Sequence, residues 1–272
     1  MTTRGDAPIE LDGFTVAPMT FDGVARHVYR GGSGPGVIVI HEIPGITPEV
    51  ARFARRVKDA GFTVFMPSLF GTPGRPMTSS YAATEILKTC VSREFRVFAA
   101  GSTSPVVGWL RALCAAAHAE LGGPGVGAIG MCMTGNFALA LMVDPSMMAP
   151  VLSQPSLPVG LTRRAKSGLH LSAEDLAVVK RRSKDGVPLL ALRFTNDPMC
   201  PKERFERLRS ELASGVETIE IDSSPGNAHG IPRSAHSVVT LDLVDQAGHP
   251  TRIALERVLS FFRERLSVPA QR

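Results

Sequence analysis

Val126-Gly127-Ala128-Ile129-Gly130-Met131-Cys132-Met133-Thr134-Gly135-Asn136-Phe137-Ala138-Leu139-Ala140-Leu141 is the stretch that decides the fold. Its first half is a short apolar run that reads as a buried strand, and Phe137 to Met142 reads as a helix packed against it. Gly-x-Cys-x-x-Gly lies between them. This is a nucleophile elbow with sulfur in place of the commoner serine oxygen. Such a turn needs glycine where backbone segments approach closely. It lifts the cysteine to the sheet edge and aims a helix N-terminus at it. That positive end favours a thiolate and, later, an oxyanion.

Outward from the elbow, apolar runs alternate with helical patterns. This alternation predicts a mostly parallel α/β sheet with helices on both faces. Residues 14–19 and 24–29 read as an opening antiparallel pair turned at Asp22-Gly23. Val37 to Ile40 is β-branched throughout and reads as a buried central strand. Helices are expected from Pro48 (N-cap Thr47) to Ala60, over Tyr81–Ala99 with uncertain breaks, and over Pro105–Leu121. Further helices are expected from Ser172, over Lys202–Leu212 and over Thr251–Leu266. The last of these turns Ile253, Leu255, Val258, Leu259 and Phe262 inward. Strands are expected over residues 62–67, 149–153, 188–194 and 217–221. The count fits one α/β-hydrolase-like domain over 1–272, with loose ends at about 1–12 and 267–272.

The bulk composition excludes several classes of function. The chain has 272 residues, 44% hydrophobic and 20% charged, ample for a core. Its net charge of +5 is scattered. Lys180-Arg181-Arg182 is the longest basic run, so nucleic acid is not an expected partner, and an anionic small molecule suits the surface better. Four cysteines, Cys90, Cys114, Cys132 and Cys200, form no Cys-x-x-Cys pair. Neither a zinc knuckle nor a redox dithiol is expected, and no His-x-x-x-His cluster suggests a metal. No signal-like apolar core opens the chain, and the longest apolar run, 137–143, cannot span a bilayer. Free thiols then suggest a reducing, cytoplasmic setting. A monomer or small homo-oligomer without cofactor, metal or membrane is expected.

A nucleophile needs a base, and the base needs an orienter. On this kind of sheet they follow along the chain in the order nucleophile, acid, histidine. Asp197 follows the strand ending at Phe194. Two histidines, His229 and His236, follow the last strand. His229 is nearer to it, and either could serve as the base. His27, His118, His170 and His249 read as surface or structural. Cys90 and Cys114 read as core, and Cys200 as structural.

These motifs together resemble the dienelactone hydrolase family, the cysteine branch of the α/β hydrolases, from about Val37 to Phe262. His41-Glu42-Ile43-Pro44-Gly45 is similar to the family's Gln-Glu-Ile-Phe-Gly. Asn196-Asp197-Pro198 with Pro201 is similar to its Gln-Asp-x-x-Val-Pro, and Ala235-His236-Ser237 to its Gly-His-Ser. The resemblance implies a Cys132-His236-Asp197 triad. It also implies that Glu42 meets the Cys132 thiol at rest and assists its ionisation. Backbone N–H groups of Ile43 and Met133 would form the oxyanion hole. The implied activity is hydrolysis of a carboxylic ester or lactone, of the carboxymethylenebutenolidase kind. An acyl transferase, or a non-catalytic binding protein on the same scaffold, is the alternative.

Three departures bear on the substrate. Thr134 stands where the family usually has glycine, and either crowds the turn or offers its hydroxyl to the site. Residues 154–182 are long enough for a cap, and the Gly- and Pro-rich stretch 68–80 for a lid. The family's anion-binding arginines have no counterpart, which leaves Arg163, Arg164 or Arg193 to meet an anionic substrate.

Overall fold

The computed structural model describes residues 9–91, 104–156 and 162–267. Its eight strands are β1 (Thr15–Phe21), β2 (Val24–Gly31), β3 (Gly36–Ile40), β4 (Thr63–Pro67), β5 (Val126–Met131), β6 (Met147–Ser153), β7 (Leu189–Phe194) and β8 (Val216–Ile221). They form one sheet in the order β1-β2-β4-β3-β5-β6-β7-β8. The pairs β1/β2 and β2/β4 are antiparallel, and every pair from β4 to β8 is parallel. The helices are α1 (Pro48–Asp59), α2 (Ser79–Val91), α3 (Pro105–Leu121), α4 (Gly135–Leu141), α5 (Arg163–Lys166), α6 (Ala173–Lys184), α7 (Lys202–Leu212) and α8 (Pro250–Leu266).

Period-two alternation divides the core into two layers. Ile38 and Ile40 of β3 face α3, α4 and α7, whose Leu110, Phe137 and Phe205 are buried there. Val37 and Val39 face the opposite layer, with Phe53 of α1 and Phe262 of α8. Both faces of β3 are covered, which is why its sequence shows no polar alternation. Full burial of each such aliphatic or aromatic side chain contributes about 1.5–3 kcal/mol. Local chemistry sets the helix ends: Thr47 caps α1 by accepting from the Val50 N–H, and Ser172 caps α6 by accepting from the Asp175 N–H.

Several expectations need correction. Ile253 of α8 is exposed, not inward: the buried face is Ala254, Leu255, Val258, Phe261 and Phe262, and Ile253 falls off that stripe. The expected helix over 81–99 begins earlier, at Ser79, and its stretch 92–99 lies outside the described residues. Residues 9–12 are tied down, since the Tyr29 hydroxyl donates to the Ile9 carbonyl at 2.7 Å and Arg55 to that of Asp12. The remaining terminal residues, 1–8 and 268–272, lie outside the described ones. The last third of the expected cap belongs to the crossover helix α6, fastened by Arg182 to the carbonyls of Met142 and Asp144 beside α4, and residues 157–161 lie outside the described ones. Residues 68–74 are pinned: Leu69 donates to His41 Nε2 at 3.0 Å, Thr72 to the Tyr81 hydroxyl at 2.6 Å and Gly74 to the Ile46 carbonyl at 2.7 Å. These bonds tie the stretch to the loop after β3 and to α2.

Candidate active site

Parallel strands share one carboxyl edge, and open α/β sheets gather their functional groups there. Glu42 follows β3, Cys132 follows β5, Gln154 follows β6, Asp197 follows β7 and His236 follows β8. Because β3, β5, β6, β7 and β8 are neighbours in that order, these five residues come to one row.

Cys132 has φ +55°, a left-handed conformation that costs a non-glycine residue about 1–3 kcal/mol. Crowding imposes this bend. A Cβ on Gly130 would meet the Thr134 carbonyl oxygen at 2.1 Å, and one on Gly135 would meet Pro155 Cα at 2.8 Å. Glycine is therefore required at both places. The bend leaves Cys132 partly exposed, opening a 3-10 turn (Cys132–Thr134) that leads into α4. Cys114 and Cys200 are fully buried, and burial pushes both thiols up, away from ionisation. Cys90 has no described side chain.

His236 Nδ1–H donates to Asp197 Oδ2 at 2.6 Å. A carboxylate only accepts, so the proton sits on Nδ1 and Nε2 faces the site. Buried Nε2 makes no hydrogen bond, while the Cys132 sulfur is within electrostatic reach of the imidazole. Loose contacts of this kind are usual before substrate arrives. Burial alone would lower the imidazole's pKa. The Cys132 sulfur and the Asp197 carboxylate outweigh it and hold His236 well above its ordinary value. His229, the alternative base, is exposed and stacks edge-on with His249 at 5.4 Å.

The flanking loops fix both partners. Asp197 Oδ1 accepts from the Met199 N–H at 2.9 Å. Arg193 donates to the carbonyls of Thr195 and Cys200 on either side of Asp197, and to Glu220 at 2.8 Å. Arg193 is thereby buried with its guanidinium engaged by internal partners, which is not the open position expected of a residue that meets a substrate anion. The side chains of Arg163 and Arg164 lie outside the described ones. Asp242 Oδ2 accepts from the N–H groups of His236 and Ser237, each at 2.8 Å, and so shapes the histidine loop.

Glu42 departs from the implied arrangement. Its carboxylate is buried and accepts from Gln154 Nε2 at 3.2 Å, Ser237 Oγ at 2.7 Å and the Thr240 hydroxyl. These three donors hold it, rather than the Cys132 thiol. Burial raises its pKa; the Thr240 hydroxyl and the His236 charge pull the other way. Gln154 joins three loops, because its Oε1 accepts from Ser153 and from the Val238 N–H at 3.3 Å. Gln154, Thr240 and Asp242 escaped the sequence reading. The available signal was a polar residue directly after a buried parallel strand, as Gln154 is after β6.

The Glu42–Ile43 peptide is also clamped. Its carbonyl accepts from His41 Nδ1–H at 3.0 Å and from the Gly45 N–H at 2.8 Å. In a trans peptide the N–H points opposite to the C=O, so this clamp sets the direction of the Ile43 N–H. Burial lowers the His41 pKa to about 4, which keeps the ring neutral with one donor and one acceptor. Met133 lies in the first turn after Cys132, where backbone N–H groups lack an intrahelical partner.

One pH dependence follows from the raised His236 pKa. The stability contributed by its positive charge is complete below the ordinary histidine pKa of about 6.5 and is lost as pH rises through the raised value. Histidine-resolved NMR titration should show His236 titrating well above the ordinary histidine value of about 6.5. The Cys132→Ala change should move it down, and an unmoved His236 would contradict the contact.

A mostly parallel eight-stranded sheet, a strained cysteine after its central strand, and an acid and a histidine after two later strands define an α/β hydrolase fold. The sequence pattern of the dienelactone hydrolase family matches residues 23–266, and the chain belongs to that family, a family of hydrolases. Among solved structures it is similar to a dienelactone hydrolase-like promiscuous phosphotriesterase from metagenomic libraries, at 18% identity and a TM-score of 0.60. That match covers 93% of this chain and 98% of the other. It is also similar to a dienelactone hydrolase from Anabaena variabilis (14% identity, TM-score 0.57, 93% and 98% covered). A third similar structure is a thioesterase domain from the curacin biosynthetic pathway (12% identity, TM-score 0.54, 92% and 100% covered). At these identities the likeness is one of fold. No curated protein matches the chain in sequence. Among the described residues no helix is long and apolar enough to cross a membrane, and no cluster of three metal-ligating side chains occurs.

Proposed function

We propose that this hydrolase cleaves a small carboxylic ester or lactone through an acyl-thioester on Cys132. The observation that carries this reading is the 2.6 Å bond from His236 to Asp197 at the sheet edge where Cys132 also stands, strained and partly exposed. The Cys132 thiolate attacks the acyl carbon, a C–S bond forms, and the carbonyl electron pair moves to oxygen. The N–H groups of Ile43 and Met133 receive that oxyanion. As the intermediate collapses, the ester C–O bond breaks, and the leaving alkoxide or enolate takes the His236 proton. Water then attacks the thioester. Neutral His236 accepts its proton, the C–S bond breaks, and the free acid leaves. Asp197 holds the imidazole in the required tautomer throughout. Glu42, fixed by Gln154, Ser237 and Thr240, adds negative charge near the imidazolium instead of taking the thiol proton.

Incubation with an activated acetate ester, and separately with a five-membered enol lactone, should release the free acid in both cases. Added alcohol or amine separates the acyl-transferase reading: hydrolysis predicts acid as the main product at low acceptor concentration. Transfer products dominating there would replace water by another acceptor. No turnover of any ester or lactone by folded protein would favour a binding role.

A further inference from the structure

We infer that Thr134 is a positioning residue that sets the spacing of the two oxyanion donors, deepening the function proposed above and resting on it. The Thr134 side chain is wholly buried. Its hydroxyl accepts from the Met131 N–H at 3.0 Å and lies within donating distance of three carbonyls: Met131 at 2.8 Å, and Ile40 and His41 at 3.1 Å each. The first of these is on β5, and the other two are at and just beyond the end of β3. The β3–β5 ladder stops at the pair Ile40 and Gly130. Past that rung the strands diverge, β3 toward the Ile43 N–H and β5 toward the Met133 N–H. The threonine hydroxyl bridges the two strand ends at this point. Met133 is its chain neighbour, and Ile43 is two residues past the carbonyl of His41.

This placement resolves the two readings of Thr134 left open by the sequence. Its β-branch does not obstruct the bend, and its hydroxyl is spent on backbone rather than aimed at a ligand. A hydroxyl has one proton, so it donates to one carbonyl at a time while the Met131 N–H holds its oxygen. Glycine at this position could not make the bridge. The Glu42–Ile43 peptide is held by His41, and the Ile40 and His41 carbonyls that lead into it lie within reach of Thr134 on the elbow side. Displacement of a catalytic group by about 1 Å can cost a hundredfold in rate, so the spacing of the donors is where loss of this hydroxyl should be felt.

The test compares Thr134→Val, which keeps the shape and removes the hydroxyl, with Thr134→Ser, which keeps the hydroxyl. The expected result for Thr134→Val is a kcat for ester hydrolysis about 10–100-fold lower with KM changed less than threefold. Thr134→Ser should recover most of that loss. A trifluoromethyl ketone, which forms a tetrahedral oxyanion on the thiolate, should bind at least tenfold more weakly to Thr134→Val. Alkylation of Cys132 by iodoacetamide, which forms no oxyanion, should stay within threefold of wild type. If Thr134→Val does not fold, Thr134→Ala carries the same comparison. Unchanged kcat and ketone affinity in a hydroxyl-free variant would overturn the inference, as would an equal loss in alkylation. Failure of the wild type itself to hydrolyse esters would instead sink the proposed function.

Discussion

Cys132→Ala should lower ester turnover by more than about a thousandfold while leaving the fold intact. Removing a nucleophile from a triad leaves only binding and the oxyanion donors, and those residual contributions are small beside the covalent step. The fold should tolerate the change because Cys132 is partly exposed and packs only at the edge of the core, where alanine removes a single sulfur atom. Alanine still has to adopt the φ of +55°, so the strain stays and does not confuse the comparison. The measurement is steady-state turnover of an activated ester, with circular dichroism to show retained structure. Turnover within tenfold of wild type would move the chemistry to another residue.

Asp197→Asn should have the second largest effect, a loss of about a hundredfold to ten-thousandfold in kcat. Asp197 Oδ2 is an acceptor for His236 Nδ1–H at 2.6 Å. The other oxygen is already committed to the Met199 N–H. An asparagine that keeps its oxygen on Met199 turns its NH2 toward His236. The ring must then present Nδ1 as acceptor and carry its proton on Nε2, the wrong nitrogen to serve as base beside the sulfur. The imidazolium also loses a stabilising charge, so the raised pKa of His236 should fall. Kinetics across pH check both parts: kcat drops, and the alkaline limb of acylation shifts to lower pH. A variant with full kcat would leave Asp197 a turn-forming residue bonded to the Met199 N–H and nothing more.

Much of this was legible in the sequence because the relevant signals are local. Val37 to Ile40 could be read as a central strand since both its faces are apolar. The elbow could be read from glycines at 130 and 135, where a Cβ would meet backbone within 2.1 and 2.8 Å. The order Cys132, Asp197, His236 follows from the topology, since each residue lies in the segment after a later parallel strand. What the sequence concealed depends on long-range contacts. Nothing near Glu42 indicates that its partners are Gln154, Ser237 and Thr240, more than a hundred positions away. Arg193 could be imagined facing a substrate until its three backbone and carboxylate partners were visible. Ile253 misled because apolar character alone does not place a residue on the stripe of α8. Thr134 looked like a defect in the elbow when considered beside its chain neighbours alone; its reason lies across the sheet, at the end of β3.

The buried polar cluster around Glu42 also explains how a carboxylate survives in an apolar surround. An ionised carboxylate without donors would be strongly disfavoured there, whereas three donors satisfy most of its acceptor sites. Each of these donors comes from the loop after β6 or the loop after β8. The cluster therefore couples the position of the histidine loop to that of the β3 loop, which carries the Ile43 N–H.

The most direct measurement is rapid acid quench of the protein with a slowly deacylating ester, followed by intact-mass and peptide mass spectrometry. The account predicts one acyl group per chain, attached to the peptide containing Cys132, cleaved by hydroxylamine and missing from Cys132→Ala. Brisk hydrolysis with the label found on another side chain, or with no covalent acyl group at any quench time, would contradict it.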